Sequence, residues 1–119
     1  MTLNEYQQQA MTTCMDSSMN DTYMLFGLVA EVGEIADKVA KWKRKGLAHI
    51  DHDRIVYDHV YLDEAREKDL LAEVGDVLWF VAGIATSMGV SLEEIADANL
   101  AKLQSRQQRG VIDGNGDNR

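Results

Sequence analysis

The sequence predicts an all-α chain: four main helices in one bundle, an irregular insert between the second and third, and a non-helical tail. Three observations carry this reading. Apolar residues recur at three- and four-residue spacing through every strongly patterned segment, and no long stretch alternates with period two. Proline is absent, so nothing enforces a kink and the helix ends must be set by caps. Capping-box spacing occurs twice, at Thr2/Glu5 and at Ser91/Glu94.

The first helix begins after Thr2, turns Tyr6, Ala10 and Met11 inward, and fades between Asp16 and Asn20. The second starts at Asn20 or Asp21. Its apolar set is Leu25, Leu28, Val29, Val32, Ile35, Ala36 and Val39. It ends in Lys41, Lys43, Arg44, Lys45 and Gly46, cations in a last turn followed by glycine. Residues 47–62 fit a helical turn, a brief strand or a covering loop, and form the irregular insert. The third helix runs from Asp63 to Met88 or Gly89. Its apolar surface, which includes Leu71, Val74, Val77, Leu78 and Val81, is broad enough to imply burial on more than one side, as at a subunit interface. The fourth follows Ser91, turns Leu92, Ile95, Ala96, Leu100 and Leu103 inward, and stops near Gly110. Residues 110–119 are a polar, glycine-rich tail. The 119 residues suffice for a single domain with one modest core.

Twelve basic residues against 20 acidic ones leave a net charge of −8, which argues against binding a nucleic-acid polymer. Cys14 is alone, so no intramolecular disulfide is possible. The first residues lack the pattern of a signal peptide, and no apolar stretch reads as long enough to span a bilayer. A cytoplasmic protein without a membrane partner is the expectation.

Two segments nearly repeat: Leu28-Val29-Ala30-Glu31-Val32-Gly33-Glu34-Ile35 and Leu70-Leu71-Ala72-Glu73-Val74-Gly75-Asp76-Val77. Each places two carboxylates on one helical face within an apolar stretch. If the two helices pack antiparallel, Glu31 and Glu34 meet Glu73 and Asp76. Four acids in such an interface repel one another and are costly to desolvate. A cation relieves both, and oxygen-only ligands favour Mg²⁺, with Mn²⁺ as a substitute. Gly33 and Gly75 cost ~1 kcal/mol each in a helix interior, which suggests a close approach of backbone or ligand there. A di-iron bundle would want Glu-x-x-His motifs, yet His49, His52 and His59 all lie outside both segments. His49-x-x-His52, with Asp51 and Asp53, is either a second metal site or an incidental loop pair.

The pattern Glu31-x-x-Glu34 followed by Glu73-x-x-Asp76 on consecutive helices resembles the MazG-type all-α nucleoside triphosphate pyrophosphohydrolases. Asn99-x-x-Lys102-x-x-x-Arg106 on the last helix resembles that family too, and Gly116-Asp117-Asn118-Arg119 is similar to the tail of its small phage-type members. The resemblance implies a MazG-like bundle that assembles as a homodimer or homotetramer. It also implies Mg²⁺-dependent cleavage of a nucleotide between the α- and β-phosphates, giving a monophosphate and pyrophosphate. The chain departs from the family at Ala30, where a glutamate is frequent, and in the surplus from Gly46 to Leu62.

On this reading Glu31, Glu34, Glu73 and Asp76 are the metal ligands, and Glu34 doubles as the base that accepts a proton from the attacking water. Lys38 and Lys41 share the acidic stripe of the second helix and are candidates for phosphate contacts, as are Lys102 and Arg106 on the fourth. Asn99 is a candidate for sugar or phosphate. Trp42 is a candidate platform for the base, against the alternative of a core or interface aromatic; Phe80 is a wall of the pocket or a core residue. Two rival functions remain open: hydrolysis of a specialised nucleotide such as phosphoribosyl-ATP or an alarmone, and a non-catalytic helical interaction module.

Overall fold

A computed structural model describes residues 1–58 and 63–119, with side chains in the second stretch from Ala65 onward. It contains α1 (Leu3–Met11), a 3-10 turn (Asp16–Ser18), α2 (Asp21–Arg44), β1 (Ala48–Asp51), β2 (Arg54–Tyr57), α3 (Asp63–Ser87) and α4 (Leu92–Gln108). Residues 110–119 carry no helix or strand.

Caps set the helix ends, as the absence of proline requires. Thr2 Oγ1 accepts the Glu5 amide at 3.1 Å while Glu5 Oε2 accepts the Thr2 amide at 2.7 Å. Ser91 and Glu94 repeat the arrangement at 3.1 and 2.7 Å. Asn20 Oδ1 caps α2 by accepting the Tyr23 amide at 2.8 Å. At the other end, the Leu47 amide donates back to the Trp42 carbonyl at 2.8 Å across Gly46, whose φ of +69° is left-handed and suits a residue without Cβ. Gly89 and Gly110 close α3 and α4 the same way.

The insert is not irregular. Its two strands form an antiparallel hairpin in the register Ala48↔Tyr57, His49↔Val56, Ile50↔Ile55 and Asp51↔Arg54. A two-residue turn, His52-Asp53, holds both residues at positive φ, 46° and 63°. Trp42 packs edge-on against Tyr57 at 5.9 Å, and Arg66 Nη1 donates to the Leu47 carbonyl at 2.8 Å, so the hairpin is tied to both flanking helices. Four-residue strands and a turn without glycine left too weak a period-two signal to read beforehand. His59 and Val60-Tyr61-Leu62 lie outside the described residues.

The bundle is built on the packing of α2 against α3. Asp21 meets Ser87, Met24 meets Gly83, Gly27 meets Phe80, and Lys38 meets Asp69, so the helices run antiparallel. A Cβ added at Gly27 would strike the Phe80 ring, and one at Gly83 would strike the Met24 thioether. These two glycines, and not Gly33 and Gly75, let the backbones approach; among the described residues, no group beyond its own stretch of helix lies within 4 Å of a Cβ built at Gly33 or Gly75. α1 crosses α3 and the start of α4. Tyr6 and Met11 pack against buried Ala82, Ala85 and Leu92. Gln7 joins Thr86, the Val90 carbonyl and the Leu92 amide. Trp79 Nε1 donates to Thr13 Oγ1 at 2.9 Å.

Ile95, Leu100 and Leu103, read as inward on α4, face outward in the protomer, and much of the apolar sets of α2 and α3 is exposed there too. Val29 is 70 % exposed, Leu71 58 % and Leu100 54 %, with Leu25, Val32, Val74, Leu78, Ile95 and Leu103 also exposed. The radius of gyration is 17.8 Å, against ~13.5 Å for a compact chain of this length. Helical spacing groups these residues along each helix, and the described residues of the protomer leave them exposed. Contrary to the reading from sequence, α3 is long and apolar enough to cross a membrane between Ala65 and Ser87 by length and composition. The same span carries Glu73 and Asp76 and packs against three helices, which suits the central helix of a bundle.

Gly27→Ala should cost ~1–3 kcal/mol of unfolding free energy, because the added Cβ would strike the Phe80 ring and force it out of its packing. Phe80→Leu introduced alongside should recover part of that loss, a coupling that urea denaturation of the single and double variants measures.

Candidate functional site

The antiparallel crossing brings acids from the two repeats together. Carboxylate oxygens of Glu31, Glu73 and Asp76 all lie within 4.8 Å of one another. Glu31 and Glu73 are half-buried and Asp76 is exposed, so the cluster opens to solvent on one side. Glu34 is exposed and lies outside this set. Its charge still reaches the cluster. Burial first, then the charges of Asp76, Glu73 and Glu34, raise the Glu31 carboxyl above the ordinary carboxylate value.

Lys38 offsets part of this charge. Its Nζ sits 2.8 Å from Asp69 Oδ2 and 3.0 Å from Glu73 Oε1. These hydrogen bonds, Asp69's first, raise the Lys38 ammonium above its ordinary value. Asp69 was legible on the acidic stripe of α3, one turn before Glu73, but not as the partner of Lys38. The cluster still carries more negative charge than Lys38 neutralises. Its donors are all carboxylate oxygens, converging from two helices, and one of them resists ionisation. That chemistry fits a hard divalent cation, and Mg²⁺ is held by one or two carboxylates together with substrate phosphates.

The other cations go elsewhere. Lys41 pairs with Asp37 one turn back at 2.5 Å, and both are exposed. Trp42 is occupied by Tyr57. Lys102 Nζ and Arg106 Nη2 lie 3.6 and 3.0 Å from Asp117 Oδ1. Asn99 is exposed on the same helix. Among the described residues, no ion pair links Lys41, Lys102 or Arg106 to the acidic cluster. His49 and His52 each pair with a single carboxylate, Asp58 and Asp51, and belong to no described metal-capable group.

Next to Glu31 lies an open cleft of about 580 Å³, walled by Tyr23, Phe26, Ala30 and Phe80. The Tyr23 and Phe80 rings stand 5.8 Å apart and tilted by 38°. Phe80 thus serves both the core and the cleft wall. Tyr23 and Phe26 were not picked out from sequence. Both stand one or two turns before Glu31, a spacing that marks them as neighbours of the acid only once the face of α2 toward Phe80 is known.

The family model of the MazG nucleotide pyrophosphohydrolase domain matches residues 20–111. The Gene 37 protein of Mycobacterium phage L5 is 44% identical over 104 residues, covering 87% of this chain and 81% of that protein. No solved structure matches the chain.

The raised Glu31 carboxyl sets a pH dependence. A carboxyl that holds its proton more tightly in the fold than in the unfolded chain loses stability on ionising. That cost is absent below the ordinary value of 4.5 and grows as pH rises through it. Glu31→Gln should therefore melt a few degrees higher than the unaltered chain near neutral pH without metal, and no higher in acid. Added Mg²⁺ or Mn²⁺ should stabilise the unaltered chain more than the variant. Thermal unfolding of both proteins across pH reads this as a difference, which cancels Glu94 and Asp117, whose lowered values act in the opposite sense.

Proposed function

The chain belongs to the MazG nucleotide pyrophosphohydrolase family, and from that membership we propose that it hydrolyses a nucleoside triphosphate between the α- and β-phosphates in the presence of Mg²⁺, releasing a monophosphate and pyrophosphate. The observation that supports this most directly is the convergence of Glu31, Glu73 and Asp76 from two helices onto one point beside an aromatic cleft.

In this reading Glu31, Glu73 and Asp76 hold the cation, with Glu34 completing the set from the open side. Mg²⁺ bound there, or Mn²⁺ in its place, supplies charge neutralisation at phosphate oxygens and a lower pKa for an attacking water. Glu34, exposed and one turn from Glu31, accepts the proton that this water gives up. Lys38, held beside the acids by Asp69 and Glu73, would offer its ammonium to the phosphates. Tyr23, Phe26 and Phe80 receive the base by stacking and exclude water from that side.

The stripes of Val29 and Val32 on α2, of Leu71, Val74 and Leu78 on α3, and of Leu100 and Leu103 on α4 are buried against a second copy of the chain in a homodimer or homotetramer. Large exposed apolar patches on a soluble protein mark interaction sites. In that assembly Asn99, Lys102 and Arg106, remote from the acids of their own protomer, serve the site of a neighbour. A cytoplasmic setting fits the lone cysteine and the nucleotide substrate.

Incubation with Mg²⁺ and a panel of ribo- and deoxyribonucleoside triphosphates should yield monophosphate and pyrophosphate; orthophosphate as the sole product would overturn the proposed cleavage. Replacing Glu73 and Asp76 together by alanine should lower turnover by about a hundredfold or more with helix content unchanged. Sedimentation at micromolar concentration should give a mass of at least twice 13.3 kDa. Leu71→Glu with Val74→Glu should reduce that mass.

A further inference from the structure

The segment after α4 folds back on the helix and is pinned by arginines. Arg119 Nη1 donates to the Gly116 carbonyl at 2.6 Å and its Nε to the Val111 carbonyl at 3.1 Å. Arg109 Nη2 donates to the Arg119 carbonyl at 2.8 Å. The loop so closed carries Asp117 onto the two cations of α4. Arg106 Nη2 donates to Asp117 Oδ1 at 3.0 Å and to its carbonyl at 3.2 Å, and Lys102 Nζ stands 3.6 Å from the same carboxylate oxygen.

The fit is incomplete in one direction. Arg106 is 5 % exposed, while the Asp117 side chain above it is 85 % exposed. Two positive charges meet one carboxylate. The Nε of Arg106 is buried and, among the described residues, has no hydrogen-bond partner. A buried guanidinium N–H without an acceptor is costly, and the fork of an arginine suits a second oxygen alongside the first. A phosphate group offers what Asp117 does not: more charge, and oxygens enough for Nη2, Nε and Lys102 together. The two cations keep the Asp117 carboxyl below its ordinary value, Arg106 by its hydrogen bond first, so the internal ligand stays ionised.

We infer that Asp117 is an internal stand-in for a phosphate group: it plugs the Lys102–Arg106 pair in the ligand-free chain, and the loop 110–119 unlatches when a phosphate-bearing ligand takes its place. This rests on the reading that Lys102 and Arg106 face phosphates. The plug keeps a buried arginine from standing unpaired, and it makes the ligand compete with a tethered carboxylate. Removing the carboxylate charge therefore tightens phosphate binding.

The test uses the full chain with Mg²⁺ and inorganic pyrophosphate as the probe, its affinity measured by calorimetry for the unaltered protein, Asp117→Asn and Lys102→Ala. The plug requires Asp117→Asn to bind pyrophosphate about three- to tenfold more tightly, the scale of a partly exposed ion pair. It also requires the Gly114 and Gly116 amide resonances of glycine-labelled unaltered chain to shift as pyrophosphate is added, a readout that needs no variant. Weaker or unchanged binding by Asp117→Asn, or Gly114 and Gly116 resonances that stay in place, overturns the plug. If Lys102→Ala alone is weakened, the phosphate reading of α4 survives that failure. Unaltered affinity in Lys102→Ala removes the phosphate reading and the plug with it.

Discussion

The mutual repulsion of Glu31, Glu73 and Asp76 is the constraint on which the rest of the structure depends. Their carboxylates come within 4.8 Å of one another because α2 and α3 pack closely, and the close packing exists because Gly27 lies under the Phe80 ring and Gly83 under Met24. Packing energy from the aromatic and thioether contacts holds the acids where electrostatics alone would drive them apart. Lys38, held by Asp69 and Glu73, relieves one flank. On the other flank burial, and then the charges of Asp76, Glu73 and Glu34, raise the Glu31 carboxyl. Such a cluster of carboxylate oxygens has the chemistry to accept a divalent cation.

Much of this was legible in the sequence because the signals were local. Capping boxes at Thr2 and Ser91 and the glycine at Gly46 fix helix ends by hydrogen bonds within a few residues. The duplicated acidic segments pointed to Glu31, Glu73 and Asp76, which meet, and to Glu34, which lies outside that group. What escaped depended on which residues face one another across the crossing. Gly33 and Gly75 drew notice by repetition, yet Gly27 and Gly83 do the close packing, since only they stand opposite a large side chain. The hairpin escaped because its pattern is four residues per strand and its turn uses His52-Asp53, not a glycine.

The basic residues show the same limit. Lys38 and Lys41 sit on one stripe of α2, but a displacement of three residues turns Lys38 toward α3 and leaves Lys41 with Asp37 in solvent. Trp42 lies one turn beyond Lys38 and so seemed placed for a base; the hairpin takes its face first. Tyr23 and Phe26 wall the cleft beside Glu31, where the α2 face meets Phe80. Spacing along one helix ranks candidates, and the partner helix chooses among them.

The exposed apolar stripes and the remote cations of α4 have a common origin. α4 is tied to the body at its start, through Leu92 and Glu93, and then extends with its apolar residues uncovered. A helix that projected without purpose would hold neither a buried arginine nor a carboxylate folded back to meet it. Arg106 is nearly inaccessible although its helix is mostly exposed, because ten residues beyond α4 are spent on covering it. The same reasoning bears on Gly33 and Gly75. Each costs ~1 kcal/mol in its helix, and among the described residues no group outside its own helix backbone lies within 4 Å of a Cβ built there. Both stand in sequence between an acid pair and beside exposed Val32 and Val74.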